Sequence, residues 1–253
     1  MEETGNNQKC LCKFCGEKKK LIDAHIVPKA FYTHFVPNRT NILKIQSDIP
    51  YELRCPAGFY DKNILCAECD RKLGVYDQEA QKLFLSDISK YKRQEGNFSA
   101  YGIPAGIFDY KKLKLFFISM LWRASISSND SFKFVKLGDK FEAMALKVLR
   151  HPELDVINQF SVFIFKYKSV PNIRIERIFI EPIPCRADGI NYYEFVFAGY
   201  QINIKVDSRE FETIFNRICL KPSEELVIVE MLPTEQVSFI SQISATHRRL
   251  KKL

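Results

Sequence analysis

The feature that most constrains how this chain can fold is a pair of matched cysteine motifs, Cys12-Lys13-Phe14-Cys15-Gly16 and Cys66-Ala67-Glu68-Cys69. Two thiolates at this spacing grip one ion from a tight turn, and Gly16 supplies the left-handed backbone that closes such a knuckle. Two pairs complete a tetrahedral four-sulfur shell with no open position, the form that structural zinc takes. The second pair stands where a helical pattern begins, so the positive end of the helix dipole favours thiolates there. The competing reading is a set of buried, unligated cysteines. Cys10 is a substitute ligand, while Cys55, Cys185 and Cys219 read as isolated small hydrophobes.

Eight cysteines raise the question of disulfides. The opening residues, Met1 to Gln8, carry no apolar core or cleavage pattern of a secretory signal, so the expected localisation is cytoplasmic, where thiols stay reduced. The longest apolar stretch, Leu115 to Leu121, is far short of the roughly 20 residues that a bilayer span needs, so no membrane association is expected. A hydrophobic fraction of 46% supports a real core and argues against a disordered chain. The formal charge of +8 favours a polyanionic partner, because each Lys or Arg laid on a phosphate releases a counterion.

Along the chain the texture changes twice. Residues 1–95 hold the cysteine pairs and turn punctuation such as Val36-Pro37-Asn38, Ile49-Pro50 and Pro56-Ala57-Gly58, with one or two helices expected from Cys66 to about Lys92. Residues 96–152 read as a helical segment. In it Asn97 to Ile107 is a Gly- and Pro-bearing connection, followed by helices over Tyr110–Ser127 and Asp139–Arg150, the last stopping before Pro152. Residues 153–253 alternate β-branched and aromatic residues in Phe160–Tyr167, Ile173–Ile180, Tyr192–Phe197, Gln201–Val206 and Leu226–Met231, with a hairpin at Ala198-Gly199-Tyr200. The expected class is α+β, with an N-terminal zinc-organised module, a helical middle and a mainly antiparallel C-terminal sheet with flanking helices.

Between the cysteine pairs lies Leu21-Ile22-Asp23-Ala24-His25-Ile26-Val27-Pro28-Lys29, an apolar strand interrupted by a histidine. By itself His25 reads as a hydrogen-bonded structural group, a fourth zinc ligand or a catalytic base. The whole arrangement is a knuckle, then His25-Ile26-Val27-Pro28, then Asn63-Ile64-Leu65-Cys66 and Cys69 leading into a helix. It resembles the zinc-stapled members of the HNH endonuclease family over about residues 10 to 80. That resemblance implies a treble-clef, ββα-metal finger in which His25 is the general base, while the helix and intervening loop bind one catalytic Mg2+ or Mn2+. It matches the family's asparagine approximately to Asn63, with Asp61 as competitor. Where family members often place Asp before the histidine, this chain has Ala24, with Asp23 on the same strand face as His25. The family's last histidine is replaced by Asp70, which shares a helix face with Asp77, so both are candidate oxygen ligands. The bland reading makes Asp70 a partner of the helix N-terminus and Asp77 a solvated residue.

The likeness to a group of uncharacterised bacterial HNH-like proteins extends through Phe116-Phe117-Ile118-Ser119-Met120-Leu121-Trp122-Arg123-Ala124-Ser125. It implies a DNA-cutting module of antiphage or mobile-element contexts. Lys18, Lys19, Lys20, Lys29, Arg123 and the basic tail at 247–252 are candidate phosphate contacts, against ordinary solvated surface or, for Trp122 and Arg123, helix packing. The alternative functions are a zinc module that binds nucleic acid or protein without cutting, and a scaffold subunit that docks a larger effector such as an ATPase.

Overall fold

The computed structural model describes residues 9–34, 42–46, 49, 51–55, 58–154, 158–169, 174–210 and 215–231; the turn expected at 36–38 and the basic tail lie outside them. The first strands are short. β1 (Cys10–Leu11) pairs antiparallel with β2 (Lys18–Lys19), folding the first cysteine pair into a hairpin. β3 (Ala24–His25) is followed by a single helical turn, α1 (Ala30–Thr33), and then by β4 (Ile42–Ile45) and β5 (Leu53–Cys55). β6 (Tyr60–Asp61) returns antiparallel to β3, with Ala24 opposite Asp61 and His25 opposite Tyr60.

Helix α2 (Ala67–Phe84) starts at Cys66, with Glu68 and Asp70 in its first turn and Lys82 in its last, the order that the helix dipole favours. It buries Cys69, Leu73, Ala80, Leu83 and Phe84 along one stripe. The chain then forms β7 (Lys92–Glu95) and β8 (Phe98–Ile103), so the connection expected at Asn97–Ile107 is in fact a strand over most of its length. Gly102 had argued for a loop. In the structure Gly102 pairs with Val227 of the last strand, with the Arg93 guanidinium and the Glu225 carboxylate lying over it, so this glycine sits inside a sheet.

Helix α3 (Tyr110–Ile126) is capped by Asp109, whose side chain accepts from the Lys112 amide at 3.0 Å, and α4 (Gly138–Arg150) ends just before Pro152. Both lie within a residue of their expected bounds. The remaining strands are β9 (Val162–Tyr167), β10 (Ile178–Ala187), β11 (Ile190–Phe197), β12 (Tyr200–Lys205) and β13 (Leu226–Met231), with the helical turn α5 (Phe215–Ile218) before the last. β10 runs further than the sequence suggests, past Pro182 and Pro184, because the register shifts between Ile180 and Ile183 and relieves the ladder there. Ala198 and Gly199 both adopt positive φ, 53° and 78°, the turn that matches the twist of the hairpin they close.

One nine-stranded sheet gathers strands from all three sequence segments in the order β5-β4-β10-β11-β12-β9-β13-β8-β7. Its β4–β10 and β9–β13 pairs are parallel and the others antiparallel, so the architecture is mixed α/β around a mostly antiparallel sheet. One apolar cluster runs from Cys12 and Phe14 through α2, α3 and α4 to the inner face of this sheet. Among the described residues no helix is long and apolar enough to cross a membrane. At the seam between sheet and N-terminal strands, Phe179 of β10 stacks on Phe59 with ring centroids 3.8 Å apart and meets the edge of Phe132.

Phe179 is fully buried, so truncation to Ala removes both its transfer energy and its packing. Phe179→Ala is expected to lower stability by about 3–5 kcal/mol, read as a fall in urea midpoint with unchanged slope. A midpoint within error of the parent would mean that this seam carries no stability.

Candidate metal centre and histidine site

The two cysteine pairs meet because main-chain bonds stitch the first hairpin to the approach of α2. Lys13 donates its amide to Ile64 at 2.9 Å and Ile22 donates to Leu65 at 3.0 Å, while Leu21 bridges to Cys66. Inside the hairpin, Gly16 sits at φ 76° and donates to the Cys12 carbonyl at 2.8 Å, closing the knuckle as its sequence suggested. As a result the sulfurs of Cys12, Cys15, Cys66 and Cys69 lie within 4.8 Å of one another, with Cys15 half-buried and the others buried. Four sulfurs about 2.3 Å from a central ion stand about 3.8 Å apart, so this group is able to hold a metal ion.

The thiol chemistry agrees with that fit. Burial raises the Cys12 thiol, but amides of Cys15, Cys66 and Phe14 directed at its sulfur outweigh burial and bring it down to about 7. The Cys66 amide is 3.4 Å from that sulfur. Burial and the neighbouring sulfurs push Cys69 up, and burial raises Cys15. Four thiols this close resist joint ionisation until a cation supplies the missing positive charge.

The knuckle is also fastened from outside. Lys13 Nζ donates to the Ile126 carbonyl at the end of α3 at 2.6 Å, and Arg150 Nε donates to the Phe14 carbonyl at 2.7 Å. Phe14 meets Trp122 edge-on at 5.8 Å, which gives the single tryptophan its packing role.

His25 occupies the end of β3, half-buried, with Ala24 fully buried behind it. Burial lowers the imidazole pKa; Asp70 opposes that, Lys29 and Arg123 add to it, and Asp77 opposes it. Burial raises the Asp70 carboxyl, against the pull of Arg123, with Asp77 adding to the rise. The structure therefore brings His25, Asp70, Asp77 and Arg123 into one electrostatic cluster, drawn from β3, α2 and α3. A lowered imidazole is neutral near pH 7 and able to accept a proton.

Several expected roles change. Arg123 does not present a phosphate contact: it is 1% exposed, and its guanidinium grips Asp77 through Nη2–Oδ1 at 2.7 Å and Nη1–Oδ2 at 3.1 Å. Asp77 is correspondingly neither solvated nor an open oxygen ligand. Asp61 does not face a metal either. Its Oδ2 accepts from Ser127 Oγ at 2.7 Å and from Ser128 N and Oγ at 2.7 and 2.9 Å, and its Oδ1 accepts from the Asn63 amide at 2.8 Å. Four donors fill a carboxylate's acceptor sites, so Asp61 ties β6 to the end of α3. Asn63 and Asp23 are exposed. Lys18, Lys20 and Lys29 are exposed, whereas Lys19 pairs with Glu17 at 2.8 Å and Glu68 at 3.0 Å. Among the described residues, the four cysteines are the one group in which three or more metal-ligating side chains converge.

The signal that could have found the Arg123–Asp77 pair is the cation in the middle of the apolar run Leu115–Ser125, since a buried charge demands a partner. No family model, curated protein or solved structure matches the chain.

The hydrogen bonds to Asp61 hold its carboxyl below the usual range despite burial, so its contribution to stability is complete above the unfolded value, about pH 4. It is lost as pH falls through the lower folded value. Asp61→Asn is expected to cost roughly 2–4 kcal/mol near neutral pH, with the gap to the parent narrowing in acid. Urea melts of both proteins across that range check this; a gap that does not depend on pH would assign the loss to packing alone.

Proposed function

We propose that this protein is an HNH-like nuclease that hydrolyses DNA phosphodiester bonds, with His25 as general base. The observation that carries this reading is a half-buried imidazole with lowered pKa at the end of β3, beside Asp70 on the helix that begins at the second cysteine pair. Strand, returning strand and helix form one unit, and the four sulfurs staple its ends. In this reading the sulfurs hold a structural zinc ion, and β3, β6 and α2 are the ββα finger.

The chain's own residues supply the chemistry in simple terms. Neutral His25 accepts the proton of a water molecule as the water oxygen attacks phosphorus, while the opposite P–O ester bond breaks and its sugar oxygen leaves, taking a proton from solvent. Asp70 faces the imidazole and favours the protonated form that this transfer creates. Lys29, close enough to act on the imidazole, also attracts the phosphate backbone, as do exposed Lys18 and Lys20. The paired Lys19 is held by weak surface ion pairs with which a phosphate competes.

The donor set fits a hard divalent ion held by one carboxylate together with water and substrate oxygens, and does not fit an all-protein cage. Asp70 is the residue that would hold it. Bound there, Mg2+ or Mn2+ would stabilise the charge that develops on the phosphoryl oxygens.

A second reading is favoured by one specific observation: Asp77 and Asp61 have other partners, and Ala24 leaves no carboxylate beside His25 on β3. That reading is a zinc module that binds nucleic acid or a protein partner, such as an effector subunit, without cutting.

The experiment is plasmid cleavage by the full chain with Mg2+ or Mn2+, with and without EDTA. Nicking that stops in EDTA and falls at least about 100-fold in His25→Ala is expected. Undiminished cleavage by His25→Ala would remove the base, and gel retardation without cleavage would favour the second reading. Separately, elemental analysis should find one zinc per chain, lost in Cys66→Ser together with native-like near-ultraviolet dichroism. Full zinc content in Cys66→Ser would refute the four-sulfur site.

A further inference from the structure

Helix α3 is buried around its whole circumference from Leu113 to Ser125, and a guanidinium buried there needs acceptors for its N–H groups. Arg123 distributes its donors over three elements. Nε donates to the Ser119 carbonyl one turn earlier on α3 at 3.3 Å. Nη1 and Nη2 form the fork on the Asp77 carboxylate of α2. Nη1 also donates to the main-chain carbonyl of His25 at 2.5 Å.

The last contact is the informative one. β3 is two residues long, and the β3–β6 ladder ends at His25. Immediately beyond, the Ile26 amide donates to the Phe59 carbonyl at 2.8 Å. The peptide that leaves His25 is therefore held on its N–H side by Phe59 and on its carbonyl side by Arg123. A planar guanidinium satisfies a carboxylate and a carbonyl at once, whereas an ammonium has no such fork.

The charges have the same logic. The groups acting on the imidazole are Asp70 and Asp77 from α2, Lys29 beyond β3, and Arg123 from α3. Arg123 and Asp77 oppose each other there, so as a pair they contribute little net charge at the imidazole, and Asp70 remains the acidic group not committed to the guanidinium. An apolar residue at Arg123 would fill space, but would neither hold the carbonyl nor maintain that balance.

We infer that Arg123 is a positioning residue for His25, that Asp77 is the counter-ion which fixes its guanidinium, and that the pair carries the placement of α3 into the histidine site. This rests on the reading of His25 as the base. The placement itself is testable whether or not the protein cuts DNA.

The test follows the His25 imidazole by proton NMR in the metal-loaded full chain, assigned by its disappearance in His25→Ala. Arg123→Met removes the cation and is expected to raise the titration midpoint; Asp77→Asn removes the anion and is expected to lower it. Loss of packing alone would move both variants the same way, toward an ordinary histidine, and that outcome would overturn the inference. Should Arg123→Met fail to fold, Arg123→Lys and Asp77→Asn decide. Arg123→Lys keeps the charge, so its midpoint stays near the parent while the Ile26 amide exchanges faster with deuterium. Unchanged exchange at Ile26 would overturn the positioning role. In a protein that cleaves DNA, Arg123→Lys should also lower kcat about 10–100-fold at constant KM. If no variant or parent cleaves, the nuclease reading fails alone and the NMR and exchange results still settle Arg123.

Discussion

A helix buried on every side is costly unless its charged groups find partners, and α3 is buried over thirteen consecutive residues, Leu113 to Ser125, with Ser119 Oγ left without a hydrogen bond. The other parts of the protein are arranged around that requirement. The knuckle reaches the end of α3 through Lys13 and rests Phe14 against Trp122. Its Arg123 is neutralised by α2 and tied to β3, while Ser125 accepts the company of Glu142 on α4, donating to it at 3.1 Å. The serines that follow the helix close on Asp61 of β6. The candidate active site is thus assembled on the core of the protein rather than on a free-standing finger.

The helices were readable from the sequence because their apolar spacing and caps act locally. Asp109 and Pro152 mark ends that need no distant partner to explain them. β8 was not readable: Gly102 and Pro104 look like a connection until β7 and β13 pair on either side of the strand. The extension of β10 past two prolines depends in the same way on a register shift, which exists only between paired strands. Strand pairing itself joined β4, from the stretch between His25 and the second cysteine pair, to a partner far along the chain, and no periodicity encodes that.

At the site, residue types and spacing were sufficient for the cysteine cluster, because a Cys-x-x-Cys turn carries its geometry within it. They were also sufficient to put Asp70 and Asp77 on one helix face, since seven residues make nearly two helical turns. They were not sufficient to divide the labour among the carboxylates. Asp61, Asp70 and Asp77 are chemically alike, and only their neighbours distinguish a carboxylate filled by serines, one facing an imidazole and one bound by a guanidinium. For Asp61 and Asp77 those neighbours arrive from α3 and its following loop, dozens of residues away.

The parallel pairing of β4 with β10 has a consequence for the time course of biosynthesis. Both cysteine pairs, β3 and α2 leave the ribosome early, and a metal ion can gather the four sulfurs as soon as Cys69 is free. At that moment β4 has β5 on one side and an open ladder on the other, because its second neighbour begins only at Ile178. Arg123 emerges between these two events. The nascent chain therefore passes through a stage in which all four sulfurs are available to a metal ion while the histidine still lacks the cation that holds its carbonyl. Assembly of the histidine site is thus set by the later part of the polypeptide, because the guanidinium that holds the His25 carbonyl comes from α3.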